Sequence, residues 1–151
     1  MKLNSRSFGK EIASVFAALL GIAVIFSWPL VLHIGDSVPA GSEPAAVAYF
    51  QLFSAQWTGK AVFCPNVYWN APFFYPFPGA FAWCEPQLFT CLVISLFSKI
   101  LGYILAYNLI LLVYMAVMGL AGYAMARLLT SDRIAAFFSG MWLCAGAYSL
   151  E

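Results

Sequence analysis

Three long uncharged apolar runs dominate the sequence, and each approaches the length of a membrane-spanning helix. They cover residues 12–32, 103–126 and 134–150. An α-helix rises 1.5 Å per residue, so about 20 residues cross a hydrocarbon layer about 30 Å thick. The pattern therefore predicts an all-α membrane protein, a single domain with three transmembrane helices at about 12–33, 103–127 and 133–150.

The stretch between the first two runs, about residues 34–102, begins with an amphipathic pattern. Ser42 is a suitable N-cap, and Glu43 followed by Pro44 fits a first helical turn. Gly59 fits the helix end. We predict a helix at about 43–58, too short to span, that lies in the plane of the membrane interface. Its apolar stripe at helical spacing comprises Ala46, Tyr49, Phe50, Phe53 and Trp57.

A second short apolar segment, about residues 86–100, contains Lys99 near its end. Its central dozen residues cover less than about 20 Å as a helix. If it spanned, Lys99 would be cytoplasmic while Arg127 and Arg133 would lie outside. If the segment does not span, Arg127 and Arg133 are cytoplasmic, which agrees with the positive-inside rule. We therefore expect a helix that lies along the outer face or dips into it.

Between these two short helices, residues 68–86 are crowded with aromatic rings and prolines. The prolines exclude one long helix or a central strand, and the aromatic content is too high for a solvated linker. Because Trp and Tyr rings prefer the membrane–water boundary, we predict an ordered loop there.

Composition and charge agree with an integral membrane protein. Hydrophobic residues make up 64% of the chain and charged residues only 9%, against about 25% charged residues in soluble domains. The expected partner is membrane lipid, since no basic cluster points to nucleic acid. Lys2, Arg6 and Lys10 precede the first run, which predicts a cytoplasmic N-terminus and an extracytoplasmic segment 34–102. A cleaved signal peptide is the alternative for this run.

The four cysteines fit no zinc motif, because no C-x-x-C pair occurs and His33 is the single histidine. Cys64 and Cys84 both lie in the predicted outer loop, where a disulfide is expected in an oxidising compartment. Such a bridge would stabilise the fold by roughly 3 kcal/mol in the chain-entropy model. The alternative is that all four cysteines, including Cys91 and Cys144, are packing residues.

Small residues four positions apart fit close helix packing at two places, Ala17 with Gly21 and Gly122 with Ala126. The last apolar run continues almost to the final residue. This favours the remainder of a longer polytopic chain as a partner, and a small complete protein is the alternative.

Several short motifs follow one another in a defined order. They are Gly35-Asp36 after the first run, Trp57, the stretch from Asn70 to Gly79, Glu85-Pro86, the AYNL of residues 106–109 and the turn at residues 127–136. In this order and spacing the series resembles the N-terminal part of GT-C-type polytopic membrane glycosyltransferases and related bacterial membrane proteins.

The resemblance implies an enzyme that takes a sugar from a polyprenyl-phosphate carrier at the outer membrane face. In such enzymes the first outer loop carries an acidic residue that acts as general base, or as a metal ligand in some branches. Asp36 is the best-matching position and Glu43 is second. The chain has no paired-acid motif after its first run, so whether a divalent metal is used stays open. Such enzymes usually have many more helices, so this chain would form only the first portion.

Each acidic candidate also has a structural explanation. A carboxylate at Asp36 would take a proton from an acceptor hydroxyl, whereas an Asp after Gly is also common in a solvated turn. Glu43 would serve as a second base or simply favour a helix N-terminus. Glu85 would contact substrate or only start the next helix.

Basic and aromatic residues complete the candidate substrate site. Lys60 and Lys99 would hold a lipid phosphate, with snorkelling at a segment end as the alternative. Tyr68, Trp69 and Tyr75 would stack on sugar rings or line a lipid groove, with loop packing as the alternative. His33 is interpreted as an interfacial residue.

Three functions from different classes remain open on the sequence. The first is part of a lipid-linked-sugar glycosyltransferase. The second is a non-catalytic membrane subunit whose aromatic outer loop docks a partner or lipid. The third is a transporter fragment, which would favour an intramembrane charge on a substrate path. No charged residue occurs within the three uncharged runs at 12–32, 103–126 and 134–150.

Overall fold

A computed structural model describes residues 5–39, 46–74, 76–84 and 87–149. All regular secondary structure in these ranges is helical, which confirms the all-α prediction. The α-helices are α1 (Ser5–Phe26), α2 (Ala46–Ala61), α3 (Pro65–Tyr68), α4 (Leu88–Leu101), α5 (Tyr103–Thr130) and α6 (Arg133–Ser149), and two 3₁₀ helices lie at Leu30–His33 and Ala80–Trp83.

Among the described residues, two helices are long and apolar enough to cross a membrane. They are the Gly9–Phe26 part of α1 and the whole of α5, Tyr103–Thr130. Over an 18-residue apolar window, only 11% of the first helix and 39% of the second is buried within the protein, so most of this surface is not covered by the described residues. α6 has 17 residues, which is shorter than a typical span. The third predicted span therefore stays a prediction.

The first predicted span, 12–33, differs from the observed helix at both ends. α1 begins at Ser5 and ends at Phe26, and a turn and a 3₁₀ helix follow. Pro29 lies in this turn. Its ring nitrogen cannot donate the hydrogen bond that a continuing α-helix requires, which explains the early end.

The chain divides into two compact units. One unit consists of Met1–Leu32 with Ile110–Glu151, and the other of His33–Leu109. In the first unit, Glu11 contacts Arg127 and Arg133, while the carbonyl of Leu19 accepts a hydrogen bond from the Cys144 thiol at 3.5 Å. α1 and α6 therefore run in the same direction.

Glycines allow α5 and α6 to approach closely. A Cβ atom added at Gly119 would lie 2.8 Å from the Gly140 carbonyl oxygen and 2.9 Å from Cys144 Cβ. A Cβ atom at Gly140 would lie 2.7 Å from the Gly119 carbonyl oxygen. Backbone approach through small residues is typical of helix packing in membranes.

The two small-residue pairs predicted from the sequence are only partly used. Gly122 is in tight contact, since an added Cβ would overlap the Leu143 side chain. Ala126 is only half-buried. An added Cβ at Gly21 meets nothing within 4 Å, and Ala17 is exposed. Among the described residues no helix packs against Ala17 and Gly21, so close packing at this pair stays a prediction.

In the second unit, α2 packs against α4 through a seam of small residues. Gly59 lies inside α2 and does not end it, contrary to the sequence prediction, because the helix continues to Ala61. A side chain at Gly59 would collide with the Ser95 hydroxyl of α4. The glycine thus allows close approach of the two helices, and α2 ends at Ala61 instead.

The segment after α2 is organised by an aromatic core. Tyr68 and Phe81 are buried with ring centroids 5.1 Å apart, and Phe73 lies 5.9 Å from Phe81. The indole N–H of Trp57 donates to the Tyr68 carbonyl at 2.9 Å. Ring packing thus replaces regular secondary structure in the proline-rich stretch, and the stripe of α2 contributes Phe50, Phe53 and Trp57 to it.

The predicted Cys64–Cys84 disulfide is absent, and both cysteines are free thiols. Cys64 is exposed at the start of α3. The Cys84 thiol lies 3.7 Å from the Ala80 carbonyl, which accepts its weak hydrogen bond. The aromatic core already fixes the segment that the bridge was expected to hold.

Candidate functional site

Asp36 lies on a tight turn directly after the first 3₁₀ helix. The backbone N–H of Asp36 donates to the His33 carbonyl at 3.0 Å, and the N–H of Ser37 donates to the same oxygen at 2.9 Å. The Asp36 side chain is exposed. The turn therefore presents a carboxylate to the surroundings from a hydrogen-bonded backbone.

The Asp36 turn is held from the other side by Asn108 of α5. The Asn108 amide nitrogen donates to the Ile34 carbonyl at 2.7 Å and to the Ser37 carbonyl at 2.7 Å. The Asn108 side chain is fully buried. These two bonds span the Gly35-Asp36 pair, so one amide fixes the backbone on both sides of the carboxylate.

Two motifs that are far apart along the sequence therefore meet in space. Gly35-Asp36 and the AYNL at residues 106–109 are joined by the Asn108 bonds. Sequence reasoning assigned Asn108 no role. The available signal was its position, because an amide near the start of a long apolar helix is costly to bury unless it is hydrogen-bonded.

The basic candidates lie at helix ends. Lys60 is exposed in the last turn of α2, and Lys99 is exposed in the last turn of α4. A cation is favourable at these positions because it offsets the negative end of the helix dipole. Within the described ranges, no hydrogen bond or ion pair joins the side chains of Asp36, Lys60 and Lys99.

The aromatic candidates differ in accessibility. The Tyr68 ring is buried between Trp69 and Phe81, with centroids 5.0 Å and 5.1 Å away, so its faces contact protein. Trp69 remains partly exposed. Glu43, Tyr75 and Glu85 lie outside the described residues.

Asn70 explains why the stretch from Asn70 to Gly79 has its particular length. The Asn70 amide donates to the Asn66 carbonyl at 2.6 Å, and its side-chain oxygen accepts from the Gly79 N–H at 2.7 Å. Gly79 has φ +73°, which side chains disfavour. The pair closes the proline-containing turn onto the end of α3.

An open apolar hollow lies on the outside of this turn. It has a volume of about 340 Å³ and is lined by Phe74, Phe77, Pro78, Ala80 and Trp83. The rings of Phe74, Phe77 and Trp83 are exposed. Such a surface offers ring faces and no charged side chain, so it suits an apolar or ring-shaped group.

A second polar cluster occurs in the other compact unit and was missed by the sequence analysis. The Tyr123 hydroxyl donates to a Glu11 carboxylate oxygen, which also lies 3.4 Å from Arg127 Nε. The other Glu11 oxygen lies 3.1 Å from Arg133 Nη2. The signal was Glu11 itself, the one acidic residue before the first apolar run.

Within the part of the chain that the structure describes, no group of three or more His, Cys, Asp or Glu side chains lies close enough to hold a metal ion. Comparison with protein families, curated proteins and solved structures finds no match. The described residues thus offer two separate features, an exposed carboxylate on a turn fixed by a buried amide and an aromatic loop with its own core.

Proposed function

We propose that this chain is the N-terminal portion of a membrane glycosyltransferase. It transfers a sugar from a polyprenyl-phosphate carrier at the outer membrane face, with Asp36 as general base. The observation that supports this best is the double hydrogen bond from Asn108 across the Asp36 turn. A general base must be held at a fixed position relative to its substrate, and a buried amide supplies that constraint.

The proposed orientation places the N-terminus in the cytoplasm and residues 34–102 outside. α1, α5 and α6 are the three spans of this arrangement. The Glu11 cluster supports it, because it brings Arg127 and Arg133 to the end of the bundle where α1 begins. The basic residues of this unit then face the cytoplasm together, as the positive-inside rule requires.

The remaining roles follow from position. Lys60 and Lys99 would contact the carrier phosphate, because lysine ammonium groups bind phosphate as point charges. The exposed Trp69 would stack on a sugar ring. The rest of a longer polytopic chain would complete the site.

A docking function is the second candidate, supported by the exposed aromatic hollow at Phe74, Phe77 and Trp83. In this alternative the chain is a non-catalytic membrane subunit, and the hollow receives an apolar group of a partner or lipid. Large exposed apolar patches commonly mark interaction sites.

The test is sugar transfer by membranes that contain the full-length protein, with a radiolabelled polyprenyl-phosphate sugar as donor. Asp36→Asn should lower turnover about 100-fold or more, as loss of a general base does. It should also lower turnover more than Glu43→Gln does. Asp132→Asn is the control, because Asp132 is also an exposed Asp in a short connection between helical segments.

Two outcomes would count against the proposal. A fully active Asp36→Asn enzyme would remove Asp36 from the base role. Absence of transfer by the wild-type protein from hexosyl and pentosyl donors would overturn the glycosyltransferase function and leave the docking function.

A further inference from the structure

One face of α4 is apolar and exposed, with no neighbour among the described residues of its compact unit. The exposed side chains are large, and their positions form one continuous arc around the helix. They are Leu88, Phe89, Leu92, Leu96, Phe97 and Ile100. The opposite face of α4, with Cys91, Ile94, Ser95 and Ser98, is buried.

The pair formed by α2 and α4 has two chemically different outer sides. The exposed side chains of α2 include Gln56 and Lys60 in its second half, and the apolar Val47 and Tyr49 near its start. Those of α4 are aliphatic or aromatic, apart from Lys99 near its end. The polarity across the pair therefore suits a boundary, with water on the α2 side and an apolar medium on the α4 side.

The aromatic stripe of α2, which the sequence analysis placed in the membrane interface, is used differently. Phe50 and Phe53 both contact the ring of Phe73, with centroids 5.9 Å and 5.6 Å away. These rings thus pack against the loop of the protein itself. The outer face of α4 remains exposed, as do Phe63 and the rings of the aromatic hollow, and it is the exposed apolar surface that follows one helix along its length.

The size of the exposed side chains distinguishes lipid from another helix as the occupant. The helix seams within this chain use small residues, Gly59 with Ser95 between α2 and α4, and Gly119 with Gly140 between α5 and α6. The outer face of α4 presents Phe, Leu and Ile instead. Helices associate in membranes through small residues, so this face matches acyl chains better than a second helix.

The length of α4 and its connection to α5 limit how deep α4 can lie in the membrane. α4 has 14 residues, so it covers about 21 Å and is too short to cross the hydrocarbon layer. Gly102, with φ +82°, separates it from α5. A helix long enough to span therefore begins one residue after α4 ends, which requires the end of α4 to lie where that span enters the membrane.

We propose that α4 lies flat in the outer membrane interface, with Phe89, Leu96 and Ile100 among the acyl chains and α2 above it in water. Lys99 extends towards the headgroups from the end of the helix. This inference does not depend on sugar transfer, since it assigns only the lipid-contacting surface.

Spin labels at single cysteines test the proposal in vesicles of phosphatidylcholine and phosphatidylglycerol. In the full chain, the accessible Cys64 and Cys84 are first replaced by serine. Single cysteines for labelling are then introduced by Phe89→Cys, Leu96→Cys, Ile100→Cys, Gln56→Cys and Lys60→Cys. All five positions are exposed, so the α2–α4 seam is left intact. Collision rates with oxygen, which enters lipid, are compared with those of a water-soluble nickel chelate.

The three α4 labels should collide with oxygen several-fold more than with nickel and lie at similar shallow depths. The two α2 labels should show the reverse preference. Nickel preference at the α4 positions would overturn the proposal in favour of water exposure. Low collision with both reagents would identify a protein neighbour instead, and a steep depth gradient from 89 to 100 would mean insertion end-on. Either result overturns the flat arrangement.

Discussion

At the residue scale, Asn108 links two distant parts of the sequence. Its amide is buried and donates to the Ile34 and Ser37 carbonyls at 2.7 Å each. Both acceptors are backbone carbonyls, and in the Asn108 side chain only the nitrogen can donate to them. This fixes the orientation of the side-chain amide. The Asp36 turn thus depends on a side chain that no local pattern around Asp36 reveals.

Asn108→Ala should therefore destabilise the protein and loosen the Asp36 turn. Loss of both donors leaves two carbonyls without their side-chain partner, which costs about 1–3 kcal/mol. Chemical unfolding in detergent micelles measures the change, and hydrogen exchange at the Asp36 and Ser37 amides should become faster. Asn66→Ala is the control, since Asn66 is exposed and should change stability by less than about 0.5 kcal/mol. Equal effects of the two variants would contradict the role of Asn108.

The cysteines are expected to separate into reactive and inert groups. Burial raises the pKa of the Cys91 thiol to about 11, with a hydrogen bond from Thr58 opposing the rise. A raised pKa means less thiolate, so at pH 8 only about one molecule in a thousand carries the nucleophilic form. Iodoacetamide followed by mass spectrometry without reduction should modify exposed Cys64 quickly and leave Cys91 unmodified until unfolding. Rapid modification of Cys91 in the folded protein would show that the α2–α4 seam is open.

At the element scale, the helix seams depend on backbone approach. Gly119 and Gly140 each leave no space for a Cβ atom, whereas Gly21 has open space around its Cα. Glycine normally weakens a helix by about 1 kcal/mol relative to alanine, so its presence needs a packing reason. Gly119 has that reason and Gly21 does not.

The same substitution at these two glycines should have opposite effects. Gly119→Ala should destabilise the protein by about 1–3 kcal/mol, because the new methyl group would meet the Gly140 carbonyl and Cys144. Gly21→Ala should be neutral or slightly stabilising, since only helix propensity changes. Unfolding midpoints of the two variants in the same detergent provide the comparison. A neutral Gly119→Ala would mean that α5 and α6 are not in close contact.

At the scale of the whole molecule, the proposed topology sets which segments are accessible from each side of the membrane. Ser37→Cys and Ser131→Cys are matched reporters, because both replace an exposed serine near the end of a helical segment. In a background with serine at positions 64 and 84, an impermeant maleimide should label Ser37→Cys in intact cells. Ser131→Cys should be labelled only after permeabilisation. External labelling at Ser131→Cys would reverse the orientation.

The sequence by itself determined which segments are helical. Uncharged apolar runs predicted α1, α5 and α6, and a dozen apolar residues before Lys99 predicted the short α4. These features depend on local properties, because apolar length sets what a helix can cross and proline removes a backbone donor. Helix boundaries agree within a few residues except for α1, which begins at Ser5, before the apolar run, and ends at Phe26, earlier than its hydropathy indicates.

Only the tertiary structure decided which faces of these helices meet. Gly59 fits a helix end by its local pattern, yet it lies within α2 because Ser95 approaches it. Ser54 and Thr58 are polar residues outside the predicted apolar stripe of α2, yet both are buried. Amphipathic periodicity assumes water on the polar side, and that assumption fails where neighbouring helices select small side chains for close packing. The position of Asn108 beside the Asp36 turn is likewise a result of tertiary structure. It depends on contacts between residues 71 or more positions apart, which the local sequence around either residue does not encode.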